Sequence, residues 1–320
     1  MTIGDIVSAT PVSEEGPLAV GPEGARKIEG RSPWKLAFER LRRDRAAIIS
    51  VVVIILIVLV AIFAPIFKHL TGHPPNEQYF ATGLTPDGLP RSPNGTFWLG
   101  TDDLGRDILT RLAYGARISL IVGVVATFLT VTIGVLVGLA AGYFGKIVDT
   151  ILARLIDVML SLPFLLFAIS LASIYHADLT IVIVVLAIFS WSSIARIVRG
   201  QVLSIREREY VEAARSMGAG PWRIMLIDIL PNVIAPIIVY TTLLIPVSIV
   251  GEATLSYLSV GVQPPTSDWG DMLAEAQGDY HAWWFILFPS LALLITTLAF
   301  NIFGDGVRDA FDPRSDRLFK

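Results

Sequence analysis

The chain has 320 residues, a formal net charge of −3, a mean hydropathy of +0.65 and 17% charged side chains, against about a quarter in a typical soluble domain. Its apolar residues are gathered into long, nearly uncharged runs, which excludes an ordinary soluble enzyme, and no basic excess points to nucleic acid. Cysteine is absent and the four histidines (His69, His73, His176, His281) lack ligand-like spacing, so disulfides, thiolate chemistry and a metal site are not expected.

Residues 1–31 mix Gly, Pro, Ser and Glu without periodicity, the composition of a disordered tail. The first apolar run begins only near Ala46, too late and too long for a cleaved signal. Ser32-Pro33 has the form of an N-cap followed by proline at the first helical position. Trp34, Phe38 and Leu41 then share a face, with Lys35, Arg42 and Arg43 elsewhere. That pattern fits an interfacial helix on an anionic leaflet, and equally a positively charged flank that is helical by continuity with the first span.

A span needs about 20 apolar residues. Six segments qualify: Ala46–Phe67, Ile118–Ala141, Arg154–Tyr175 with Asp157 and Pro163, Leu179–Ile197, Val233–Val250 with Pro236 and Pro246, and Trp284–Phe303 with Pro289. The expected layout is a first unit at 32–67, an extracytoplasmic segment at 68–117, a core at 118–303 and a tail at 304–320. Within the outer segment, 68–104 should hold little regular structure. Asp107–Ile118 should be a short helix outside the membrane. Gly134, Gly138 and Gly142 recur every four residues and let a helix approach closely, within the chain as the simpler reading or against a partner.

Of the 25 Lys and Arg residues, only Lys68, Arg91, Arg106, Arg111 and Arg117 fall on the side opposite the termini. The positive-inside rule therefore places both termini in the cytoplasm. Asp157, one turn from Arg154, suggests a local ion pair. Glu252 closes the fifth span, and Asp268, Asp271, Glu275 and Asp279 make the next outer loop acidic. Such a loop is solvated, dips into the membrane or touches a docked protein.

The cytoplasmic loop at 200–231 is the most informative segment. Tyr210, Ala213, Ala214 and Met217 recur at helical spacing, Gly218 and Gly220 interrupt the helix, and Pro221 begins another. The pattern fits a docking elbow for a second protein, and also a helix that packs only on its own chain.

Glu212-Ala213-Ala214, Gly218 and Leu230-Pro231 resemble the EAA signature of permease subunits in bacterial ABC importers. Leu99-Gly100-Thr101-Asp102, Gly105-Arg106-Asp107, Gly115-Ala116-Arg117-Ile118-Ser119-Leu120, Gly261-Val262-Gln263-Pro264-Pro265, Trp269-Gly270, Gly304-Asp305-Gly306 and Asp312-Pro313 look like the C-type permeases of dipeptide and oligopeptide importers. Asp228, usually histidine there, and Ser259, usually glycine, depart from the pattern.

The resemblance implies an all-α membrane protein of the type I importer permease fold, in a bacterial cell membrane. It implies a homologous second permease, two ATPase subunits or one fused ATPase, an extracytoplasmic solute-binding protein and a peptide cargo. The elbow (Tyr210, Glu212, Ala213, Ala214, Met217, Gly218, Pro231) would dock on the ATPase. No phosphate-binding G-x-x-x-x-G-K-[ST] loop occurs, since Gly145-Lys146 is followed by Ile147. ATP and magnesium are thus expected on the partners and no cofactor on this chain. A gradient-driven transporter would show intramembrane carboxylates or repeated halves, and neither is evident; a membrane scaffold is the other alternative.

Overall fold

The computed structural model describes residues 33–175, 178–278 and 281–312. The expected tail at 1–31, the Ser32 cap, Asp279 and Pro313 lie outside them. Among the described residues the chain is helical, with two isolated β-bridges and no strand.

Helix α1 (Pro33–Leu41) is short and amphipathic, and a turn separates it from α2 (Arg45–Ile62). Asp44 caps α2 by accepting the amides of Ala46 and Ala47, which satisfies donors that no helical carbonyl reaches. Beyond Phe63, α3 (Ala64–Thr71) carries Pro65 in its first turn and is capped by Gly72 at φ +73. The outer segment adds one turn of helix, α4 (Phe80–Gly83), and is otherwise irregular.

Helix α5 (Ile108–Phe144) runs unbroken for 37 residues from its Asp107 cap. The separate helix expected at 107–118 is instead the first three turns of this element. At about 1.5 Å per residue α5 is roughly 55 Å long, well beyond a hydrocarbon core of about 30 Å. Its first turns, with Arg111 and Arg117, therefore stand outside the bilayer.

The third expected span is corrected more deeply. Pro163 does not sit inside a helix but breaks one, leaving α6 (Lys146–Ser161) and α7 (Phe164–Ile174) bent by 84°. Leu162 before it is extended, at φ −77 and ψ 129, as the ring of a following proline demands. Pro236, Pro246 and Pro289 remain within helices.

Helix α8 (Leu179–Ile205) is capped by Asp178 and continues through the first residues of the expected loop. After α9 (Glu209–Ser216) and the single turn α10 (Pro221–Arg223), a π-helical stretch at Ile224–Ile229 leads into α11 (Leu230–Tyr257). Pro231 lacks an N–H and crowds the carbonyl four residues back; the widened turn just before it absorbs that misfit. Helices α12 (Trp269–Glu275) and α13 (Trp283–Phe311) complete the chain.

Five of these helices are long and apolar enough to cross a membrane, six if the bent α6–α7 pair is one span. The core is α5 packed along α8, with α11 and α13 closing around it and α2 peripheral against α13. Gly134, Gly138 and Gly142 all face α8. A Cβ at these positions would lie 2.7 Å from Cβ of Ile194, 2.7 Å from the carbonyl of Ala195 and 2.6 Å from Cβ of Val202. The glycine stripe is a contact within the chain.

Candidate functional site

Two constructions stand out, one at each end of the bundle. At the arginine-rich end, α9 and the start of α11 form an elbow below α8. Val211 and Ala214 point inward, into a cluster with Val202, Ile224, Met225 and Ile229. Removing such side chains from water is what holds a short helix in place. The apolar face expected from spacing is therefore split. Ala214 belongs to the core, whereas Tyr210, Ala213 and Met217 form an outward stripe, with Met217 79% exposed. Glu212, Gly218 and Pro231 are exposed as well. Trp222, 66% exposed on α10, extends the surface and was not singled out by spacing.

The elbow's geometry depends on Gly218. The Ala219 amide donates to the Ala214 carbonyl and the Gly218 amide to that of Arg215, both at 3.0 Å. This paired pattern is a Schellman cap, which requires a left-handed residue at its centre. Gly218 supplies it with φ +83, and a Cβ there would meet nothing within 4 Å. The glycine is demanded by backbone conformation, not by space.

Cations brace the elbow from behind. Arg206 donates to the Gly142 carbonyl at 3.0 Å and to Glu207 at 2.8 Å, and Arg215 lies 5.8 Å above the Tyr143 ring. An open cleft of about 360 Å³ beside them is lined by Tyr143, Lys146, Arg206, Glu207, Arg215 and Pro221. Higher up, Arg199 forks onto both oxygens of Asp149. Asp157 pairs with Arg196 of α8 at 2.6 Å, and reaches Arg154 only at 4.0 Å. The expected local pair is thus secondary to one between helices. Asp228 sits in the π-helical stretch with one carboxylate oxygen buried and unpartnered, while Asn232 binds its backbone carbonyl.

At the other end, the acidic loop folds in. Helix α12 packs on α5, α11 and α13, and Asp268 and Asp271 are buried. Arg106 holds Asp102 at 2.6 Å and forks onto Glu275 at 2.7 and 2.8 Å. Arg111 reaches Asp102 at 3.2 Å and Glu275 at 2.9 Å. Burial, then the neighbouring charge of Glu275, raises the Asp271 carboxyl to about 7. Burial likewise raises Asp103 and Asp107. Oxygens of Asp102, Asp103 and Glu275 converge within 4.8 Å of one another. Arg106 lies against all three and supplies the countercharge a cation would bring. Glu252, placed at the end of the fifth span by sequence, lies within α11, fully buried and accepting from Ser119 and Ser256.

Residues 134–317 match the family described as binding-protein-dependent transport system inner membrane component, and residues 32–86 match the N-terminal transmembrane domain of oligopeptide transport permease C. The dipeptide transport system permease protein DppC of Alkalihalophilus pseudofirmus is 38% identical over 96% of this chain and 97% of its own length. The chain belongs to this family of inner membrane transport components.

Other members include the oligopeptide transport system permease protein OppC of Bacillus subtilis, 39% identical over 93% of this chain and 96% of its own. The glutathione transport system permease protein GsiD of Pectobacterium atrosepticum is 40% identical over 89% and 92%. A chain of the inward-facing methionine ABC transporter MetNI superposes with a TM-score of 0.53 at 21% identity, covering 62% of this chain and 96% of that one. That likeness shows the fold: an all-helical permease of the ABC importer type. The protein is accordingly a multi-pass component of a bacterial membrane, and its family works with ATPase and binding-protein partners.

Proposed function

We propose that this chain forms half of the translocation pathway of an ATP-driven importer of short peptides and passes to it the motion of a separate ATPase. One observation carries the reading: a helix pinned from inside by Val211 and Ala214 presents Tyr210, Ala213 and Met217 outward, at the end where the arginines gather. Small and flat residues let another protein's backbone approach, while Glu212 and Arg215 offer charge pairing. With both termini and this elbow in the cytoplasm, ATP and magnesium reside on the partner, and this chain contributes no catalytic residue and binds no cofactor.

The complex comprises a homologous second permease, two ATPase subunits (or one fused ATPase), and a solute-binding protein at the outer end. Closure of the ATPase pair drives the elbow, and rigid-body rocking of the spans alternates access. The relatives' names, covering dipeptides, oligopeptides and glutathione, support a peptide cargo.

Ala213→Arg tests the docking role, because Ala213 is exposed and its replacement leaves the inner cluster untouched. The variant should insert and fold normally, while peptide-stimulated ATP hydrolysis by the reconstituted complex falls at least tenfold. Full stimulation in that variant refutes docking through this face.

A further inference from the structure

The corner between α1 and α2 is built for something the transport cycle does not use. Ala37 is buried, and Arg40 donates to the carbonyls of Ala310 and Asp312, so one side of α1 is fixed to the end of α13. Trp34 adds an edge-on contact with the Phe311 ring. Trp34 stands at the edge of that contact, and the side beyond it is open: Phe38 and Arg42, four residues apart, are both exposed, Phe38 by 66%.

Lys35, Arg42, Arg43 and Arg45 are also exposed, and none forms an ion pair among the described residues. Asp44, the acid between them, is committed to capping α2 through the amides of Ala46 and Ala47. Glu39 and Asp44 are the acids of this stretch against Lys35, Arg40, Arg42, Arg43 and Arg45, so the corner keeps an excess of positive charge beside exposed aromatic rings.

Its level in the membrane follows from α2. The apolar run starts at Ala46, so Arg45 marks the boundary of the hydrocarbon. The three residues between the helices span at most about 10 Å, which holds Leu41, the end of α1 nearest α2, close to that boundary, while Trp34 lies further along α13 at Phe311. Aromatic rings prefer that depth, and an anionic leaflet attracts basic side chains there.

We propose that this corner is a binding site for anionic phospholipid headgroups, with Arg42, Arg43 and Arg45 holding the phosphate and Trp34 and Phe38 lying among the upper acyl chains. The lipid ties the peripheral α1–α2 unit, and through Arg40 the end of α13, to the leaflet surface.

The test uses the full chain in nanodiscs containing brominated phosphatidylglycerol or brominated phosphatidylcholine. Trp34 is read as the fluorescence difference between the wild type and Trp34→Phe. Quenching by the anionic lipid should exceed that by the zwitterionic lipid about fivefold, the factor expected for one basic side chain at a charged surface. The excess should vanish when Arg42, Arg43 and Arg45 are all glutamine and persist when all are lysine. It should also shrink in the wild type between about 0.05 and 1 M salt, a measurement that stands even if the glutamine variant fails to fold. Equal quenching by the two lipids, an excess unaltered in the glutamine variant or lost in the lysine one, or no quenching by either because a protein covers the face, overturns the proposal.

Discussion

Arg111, one turn into α5, and Glu275, the last residue of α12, are 164 positions apart and meet at 2.9 Å through Nη2 and Oε2. The contact closes a network in which two guanidiniums, Arg106 and Arg111, bridge Asp102 in the segment before α5 to the helix between α11 and α13. Trp269 and Trp284 seal it by donating to the carbonyls of Leu112 and Thr101. The outer end of the bundle is thereby one unit rather than a set of loops.

A buried pair costs desolvation to assemble, and breaking it strands a charge. Arg111 is 1% exposed, so Arg111→Met should destabilise the folded protein by about 3–5 kcal/mol. Glu275→Gln alone should cost less, because Arg106 and Arg111 both keep Asp102. Unfolding of the purified single and double variants in detergent should give effects that are far from additive, as for neighbours in one network. Additive effects would show that the two side chains act independently.

The same network holds an excess of acid, and Asp271 carries the consequence. Its carboxyl is raised to about 7 by burial and by Glu275, against about 3.9 in the unfolded chain. Between those values the folded state holds a proton that the unfolded state has released. Stability from this group is therefore complete below about pH 4 and is lost as pH rises through about 7. Asp271→Asn removes the titration. Its melting temperature should exceed that of the wild type at pH 8 and converge with it near pH 4. Melting curves that shift in parallel across this range would contradict the assignment.

The membrane class, five of the six span positions and the helix–glycine–helix form of 200–231 were legible because each rests on local pattern. What failed were features set by distant contacts. Arg111 and Arg117 made 107–118 look separate from the second span, since nothing nearby in sequence announces that Glu275, 164 positions on, joins Asp102 in neutralising Arg111. Prolines of identical local appearance behave differently because their neighbours differ. Pro236 and Pro246 lie in α11, which is held by α5, α8 and α13, whereas Pro163 joins α6 and α7, which have few packed neighbours. A freed carbonyl is tolerated in a span where surrounding helices support it. At the elbow, spacing joined Ala214 to Tyr210, Ala213 and Met217. The boundary between core and surface runs between them because Val211 also turns inward.

The glycine stripe makes a sharper stability prediction. A methyl at Gly138 would lie 2.7 Å from the Ala195 carbonyl and from Cβ of Val198, so the α8 backbone itself must retreat. Gly138→Ala should cost about 1–3 kcal/mol, the usual penalty of overpacking, despite alanine's better helix propensity. Gly200→Ala is the control: this residue lies inside α8 with nothing within 4 Å of a Cβ. It should be neutral or stabilising by up to about 1 kcal/mol. Equal thermal shifts in the two variants would remove the close-packing argument.

Ser259 repeats Gly218's role with the wrong side chain. The Ser259 amide donates to the Ser256 carbonyl and the Val260 amide to that of Leu255, both at 2.9 Å, so α11 ends in the same Schellman pattern that ends α9. At the centre stands a serine with φ +59, where a Cβ crowds the following carbonyl at about 1–2 kcal/mol. The departure from glycine noted in the sequence is therefore a strained position. Ser259→Gly should relieve that strain, less the extra entropy of a glycine in the unfolded chain, and stabilise by about 1 kcal/mol. Gly218→Ala should do the reverse by a similar amount, with Gly218→Asn milder because asparagine tolerates the left-handed region. Thermal denaturation of the three variants checks the pair. Loss of stability in Ser259→Gly would mean that the serine side chain makes a contact outweighing its backbone strain.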